Sequence, residues 1–329
     1  MHQVVARSTA AEPLLKVSNL SRHFPVGAHR VVKAVEQVSF EIAAGETLCI
    51  VGESGSGKST LGRLVVGLDV PTGGAVTFAG HDCQPKRGRS GGRGPIQLIF
   101  QDPYASLNAR HRVSDALAEV VRIHRPAIGE AAVSARVDEL LVQVGLSPRD
   151  GMKYPHQFSG GQRQRICIAR ALAADPRFIV CDEPTSALDV SVQAQILNLI
   201  KLLQREQQLT YLFISHNLAV VYHIADAVGV MYLGRLVEMG RKHAVFGQPT
   251  HPYTRMLLNA VPKLERSPDA ALAANGEIAS AIAPPPGCAF HPRCPLADAR
   301  CAREIPQMLA QPNGTFAACH AAEERRLPF

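Results

Sequence analysis

Thr47-Leu48-Cys49-Ile50-Val51-Gly52-Glu53-Ser54-Gly55-Ser56-Gly57-Lys58-Ser59 joins a short apolar run to a glycine-rich turn that ends in a Lys-Ser pair. Thr47 to Val51 reads as a short buried strand, and Lys58 to Leu68, with Thr60 in its first turn, as the helix that follows. Gly52 to Ser59 therefore fits the G-x-x-x-x-G-K-[ST] spacing in the strand, loop, helix order that gives the pattern its meaning. Gly52, Gly55 and Gly57 let the main chain wrap a phosphate chain, with Ser54 inside the wrap. Lys58 offers a point charge to β and γ phosphates, and Ser59 offers a hydroxyl to Mg²⁺.

Downstream, Phe158-Ser159-Gly160-Gly161-Gln162-Arg163-Gln164-Arg165 supplies a second anion-binding device. Ser159 is placed to cap a helix running through Ile166, Ile168, Ala169 and Leu172, and the two glycines leave main-chain N–H groups uncovered at its positive end. Two such devices suggest a nucleotide held between two surfaces. Phe178-Ile179-Val180-Cys181-Asp182-Glu183 is an apolar strand ending in two carboxylates, where a parallel sheet opens onto its ligand crevice. Asp182 suits a Mg²⁺ shell, and Glu183 is placed to orient or deprotonate an attacking water. His216 closes another apolar strand, Tyr211 to Ser215.

Leu14 to Leu20, Val38 to Ile42 and Ala75 to Phe78 read as further strands, and Ile96 to Phe100 as one that ends at Gln101. From Val113 to about Leu146 the period turns helical, with Val113, Leu117, Val120 and Val121 on one face and Val137, Leu140, Leu141 and Val144 on another. An α/β core with a helical insert is expected. The 329 residues exceed one average domain, and 46% apolar with 19% charged residues is an ordinary globular balance. Met1 to Pro13 lacks the apolar core of a signal peptide, so the chain is expected to stay in the cytosol. Leu218 to Leu233, broken by His223 and Asp226, falls short of the roughly 20 residues a membrane helix needs. The formal charge of +7 is diffuse. Its densest stretch, Pro85 to Gly94, has no aromatic residue for base stacking and reads as a solvated hairpin loop, so no nucleic-acid partner is expected.

The order of phosphate loop, Gln101, Ser-Gly-Gly-Gln, Asp182-Glu183, Ser186-Ala187-Leu188-Asp189 and His216 resembles an ATP-binding cassette (ABC) ATPase from about residue 14 to 245. The resemblance implies a P-loop NTPase core with an N-terminal antiparallel β subdomain and a helical subdomain at about 103–175. It implies Gln101 as the glutamine that senses Mg²⁺ and the transport partner, and Ser186 to Asp189 as the loop that couples two opposed sites. Phe24 would stack on adenine, where the family more often has Tyr. Ser159, Gly160, Gly161 and Gln162 would close on ATP held by a second ATPase subunit.

Within that superfamily, Gln101 to Asn108, His251-Pro252-Tyr253-Thr254 and the ending from Pro284-Pro285-Pro286-Gly287-Cys288 through His291-Pro292-Arg293-Cys294-Pro295 resemble the ATP-binding subunits of dipeptide and oligopeptide importers, with residues 246–329 as their C-terminal extension. Leu61 to Leu64 and Ile214 to Asn217 resemble the second ATPase of a dipeptide system. Import energised by ATP hydrolysis follows, on the cytoplasmic face of the membrane. The implied partners are a second ABC ATPase, a paralogue in preference to a second copy, two permease subunits and an extracytoplasmic peptide-binding protein. An importer of nickel, glutathione or another small solute, or a soluble cassette ATPase of a metabolic or DNA-repair complex, are the alternatives.

Eight cysteines divide unevenly. Cys49, Cys167 and Cys181 sit in apolar runs as small core residues, and Cys83 lies near a loop. Cys288, Cys294, Cys301 and Cys319 are separated by 5, 6 and 17 residues, without the paired C-x2-C of a zinc ribbon. The family resemblance implies a [4Fe–4S] cluster on these four thiolates, with zinc as the second choice and free or bridged thiols as the third.

Overall fold

The computed structural model describes residues 12–27, 30–83, 95–260 and 280–327. The basic stretch Pro85 to Gly94 lies outside them. The chain divides into two compact units, one holding Met1–Arg87 and Ile214–Phe329, the other Gly88–Phe213.

The first unit opens with β1 (Leu15–Val26), β2 (Arg30–Ile42), β3 (Thr47–Val51), α1 (Lys58–Val66), β4 (Gly73–Phe78) and β5 (His81–Asp82). The order β2-β1-β4-β5 makes an antiparallel sheet. β1 and β2 run well past the stretches that alternation marks, because Arg22 to Val26 pair with Arg30 to Val35 as a two-stranded ribbon. β3 is buried at all five positions, as expected of a strand covered on both faces.

The second unit contains β6 (Ile96–Ile99), α2 (Pro103–Ser106), α3 (Val113–His124), α4 (Glu130–Gln143), α5 (Gly160–Leu172), β7 (Phe178–Asp182), α6 (Val190–Gln207) and β8 (Thr210–Ile214). β6 runs parallel to β7, which lies beside β8. α3 buries Val113, Leu117 and Val121, and α4 buries Val133, Val137, Leu140 and Leu141. These are i, i+4 rows, so the two helices bury their apolar stripes and leave charged faces to solvent.

Back in the first unit follow α7 (Leu218–Ile224), β9 (Ala227–Tyr232), β10 (Arg235–Arg241), α8 (Lys242–Gly247), α9 (Pro252–Asn259), β11 (Leu309–Ala310), β12 (Phe316–Ala317) and α10 (His320–Glu323). The apolar window from Leu218 to Leu233 is thus a helix and a strand. Asp226 separates them, and its carboxylate accepts the Thr47 N–H at 2.9 Å. β9 is parallel to β3 and antiparallel to β10, and every one of its residues is buried. The tail joins this sheet: β12 pairs with β10 through Glu238 opposite Ala317 and Met239 opposite Phe316. Among the described residues no helix is long and apolar enough to cross a membrane.

Candidate functional site

The phosphate loop links β3 to α1. Gly57 starts the helix at φ 100, and a Cβ there would lie 2.0 Å from the Ala34 carbonyl oxygen, so only glycine fits. Lys58 is buried, and its Nζ donates to the carbonyls of Gly52 and Glu53, both at 2.8 Å, and to Ser56 Oγ at 3.3 Å. The cation is thereby drawn into the loop, while Ser59 stands exposed in the first helical turn. Phe24 lies on β1, half-buried, with the Arg22 guanidinium 4.5 Å from its ring centroid. His216 follows β8 on an exposed stretch. Asn217 next to it caps α7 by accepting the Ala219 and Val220 N–H groups at 3.0 and 3.4 Å.

In the second unit β7 delivers Asp182 and Glu183, both half-buried. Glu183 sits at φ 46, in the left-handed region, a conformation costing about 1–3 kcal/mol for a non-glycine residue and enriched at functional sites. Its Oε2 accepts from the Gln101 side-chain amide at 3.0 Å, which brings two of the candidate residues together. Ser159 caps α5 through a reciprocal pair: Ser159 Oγ accepts the Gln162 N–H at 3.3 Å, and Gln162 Oε1 accepts the Ser159 N–H at 3.0 Å.

Gly161 has a reason that sequence reasoning missed. A Cβ on it would fall 2.3 Å from Val192 Cγ1, so the glycine lets α5 approach the start of α6. Asp189 caps α6, accepting the Val192 N–H at 2.9 Å, and that hydrogen bond holds its carboxyl below the usual range. Within this unit Asp182 ends β7, and Ser159 and Asp189 cap α5 and α6.

Comparison with known proteins separates this arrangement from other phosphate-loop proteins. The ABC transporter family model matches residues 35–186, and that of the oligopeptide/dipeptide transporter C-terminal region matches residues 237–301. The dipeptide transport ATP-binding protein DppF of Escherichia coli (strain K12) is 46% identical over 334 residues, 98% of both chains. YkfD of Bacillus subtilis (strain 168) is 50% identical over 315 residues, covering 94% of this chain and 95% of its own. The chain belongs to the oligopeptide/dipeptide family of ABC-transporter ATP-binding subunits. Its fold agrees with solved members of the wider ABC group. CbiO1 from Clostridium perfringens, part of the ABC transporter complex cbiONQ, superposes with a TM-score of 0.64 at 29% identity, over 72% of this chain and 92% of that one. The ATP-binding cassette MJ0796, in a dimeric post-hydrolysis state bound to ADP and Pi, gives 0.62 at 28% identity, over 69% and 98%.

The C-terminal region of this ABC ATPase is built on a buried carboxylate. Glu238 accepts the Thr250 N–H at 2.7 Å, the Thr250 hydroxyl at 2.8 Å and the His251 N–H at 2.9 Å. Burial nevertheless raises its pKa, the hydrogen bonds pulling the other way. His251 caps α9 by accepting the Tyr253 N–H at Nδ1, and complete burial pushes its pKa down to about 3. The family's His-Pro-Tyr-Thr run is thus a neutral cap followed by a helix.

Cys288, Cys294, Cys301 and Cys319 gather in this region as free thiols. Burial pushes Cys288 up to about 12, a main-chain hydrogen bond at Phe290 opposes it, and the other three cysteines raise it further. Burial likewise pushes Cys294 up to about 11 and raises Cys301 and Cys319, and each of these sulfurs also has an opposing main-chain hydrogen bond. The four sulfurs therefore lie within electrostatic reach of one another. Among the described residues, no three His, Cys, Asp or Glu side chains converge as ligands of a single metal ion.

Proposed function

We propose that this ATPase subunit drives import of di- or oligopeptides, working at the cytoplasmic face of the membrane with a second ATPase subunit, two permease subunits and an extracytoplasmic peptide-binding protein. The observation that carries the peptide assignment is the likeness to DppF of Escherichia coli across 98% of both chains, tail included. Lys58 and Ser59 act on the phosphates and Mg²⁺, Asp182 enters the Mg²⁺ shell, and Glu183 with His216 promotes attack by water. Gln101 reports the occupancy of the site to the permease. Ser159 and Gly161 of each ATPase subunit close on the γ phosphate held by the other, and the helical insert at about 103–155 provides the permease-facing surface. ATP favours the closed pair because it touches both subunits only there, and hydrolysis reopens it. The dimeric cassette holding ADP and Pi lends support to this cycle.

The four tail cysteines would hold a [4Fe–4S] cluster. Four mutually interacting thiols with main-chain hydrogen bonds to sulfur fit such a group, one thiolate for each iron. Bound there, the cluster would staple a tail with few large apolar residues.

Purifying the tagged chain from its host under mild detergent tests the transport reading. Two hydrophobic permeases and a solute-binding protein that binds peptides should accompany it, and deletion should abolish dipeptide uptake. Association with a metabolic or repair complex, or uptake loss confined to nickel, would overturn the peptide assignment.

A further inference from the structure

Glu53 occupies the second position of the phosphate loop and so brings a carboxylate into a loop built for polyanions. A negative charge there opposes phosphate binding unless something neutralises it. The structure supplies that partner from far along the chain. Arg293, in the His291-Pro292-Arg293-Cys294 turn of the tail, grips Glu53 with both arms of its guanidinium: Nη1 to Oε2 at 2.9 Å and Nη2 to Oε1 at 3.0 Å. The pair is sheltered, with Arg293 8% and Glu53 21% exposed, and the Arg293 guanidinium lies 5.7 and 5.9 Å from the Phe290 and Tyr232 ring centroids.

Glu53 is held at its other polar groups too. Its main-chain N–H donates to the Tyr253 hydroxyl at 2.8 Å, and its carbonyl accepts from Lys58 Nζ at 2.8 Å. Tyr253 is buried against Tyr232 and Phe290, with ring centroids 4.6 and 5.4 Å away. One residue thus links the loop's lysine to two residues that follow the cassette. A bidentate fork fixes direction as well as charge, which a lysine could not do.

We infer that Arg293 and Tyr253 are positioning residues for the phosphate loop: the C-terminal extension neutralises Glu53 and sets the loop that presents Lys58, so nucleotide affinity depends on the tail. This rests on the reading of Gly52 to Ser59 as the ATP phosphate site. The test is equilibrium binding of Mg²⁺ with N-methylanthraniloyl-ATP to the full chain. Arg293→Met should raise Kd about ten-fold, because it leaves an unpaired carboxylate beside the phosphates. Glu53→Gln added to Arg293→Met should recover most of that loss, which a merely structural role for Arg293 does not predict. Tyr253→Phe carries the test if the Arg293 variants fail to fold, with an expected rise of about three-fold from the lost hydrogen bond. Unchanged affinity in Arg293→Met or Tyr253→Phe, or an equal loss in the single and double Arg293 variants, overturns the inference. Lys58→Ala serves as the separate check: if it binds the analogue normally, the phosphate-site reading itself fails.

Discussion

At Glu183 the main chain turns left-handed, φ 46, and the carboxylate meets the Gln101 amide, so a strained residue and a hydrogen-bonded partner coincide where water activation is proposed. Glu183→Gln keeps the shape and removes the base. It should leave ATP binding intact and lower turnover by about 10²–10⁴ in the purified complex, measured as phosphate release. Near-normal hydrolysis would remove Glu183 from that role. His251 offers a second residue-scale expectation. Its pKa is about 3 in the fold against 6.5 when unfolded, so the unfolded chain binds its proton first as the medium is acidified. Stability that is whole above pH 6.5 should therefore drain away as pH falls towards about 3. His251→Asn keeps a cap acceptor without the titration, and urea midpoints across that window should fall less steeply than in the native chain. Parallel pH profiles would show that other groups dominate.

Helix α5 shows how an element answers two demands. Its Ser159 and Gln162 satisfy each other's main-chain N–H groups, which orders the first turn, while Gly161 admits Val192 of α6. In an isolated helix Gly→Ala would gain up to about 1 kcal/mol. Here the added methyl collides with a β-branched side chain that has little rotamer freedom, and overpacking costs about 1–3 kcal/mol. Gly161→Ala should therefore lower the denaturation midpoint, and Val192→Ala in the same chain should restore it. A stabilised single variant would show that α5 and α6 do not approach so closely. The helix and its serine cap were legible in the sequence, since a serine ahead of a run with helical period is a local signal, whereas the return bond from Gln162 is seen in the structure. The demand on Gly161 was not, because its cause is a residue on another element.

On the scale of the whole molecule, the tail adds strand β12 to β10 and gathers four cysteines. Chain purified without oxygen should be brown and carry about four iron and four sulfide per chain. Colourless protein with one zinc would rule out the cluster. The phosphate loop, the capped Ser-Gly-Gly-Gln helix and the acidic strand end were all readable from spacing alone, because each is a short-range pattern fixed by main-chain geometry. Parallel sheet strands, helical insert and family followed from their order. Less was visible after β8: the apolar window at Leu218 to Leu233 joined a short helix to a strand buried at every position, and alternation does not survive in a strand covered on both faces. The carboxylate of Glu238 beneath the His-Pro-Tyr-Thr helix, the packing of Gly161 and the grip of Arg293 on Glu53 were decided only by the tertiary structure. Glu53 and Arg293 lie 240 residues apart, and no local periodicity encodes a contact whose two halves meet only once the sheet between them has formed.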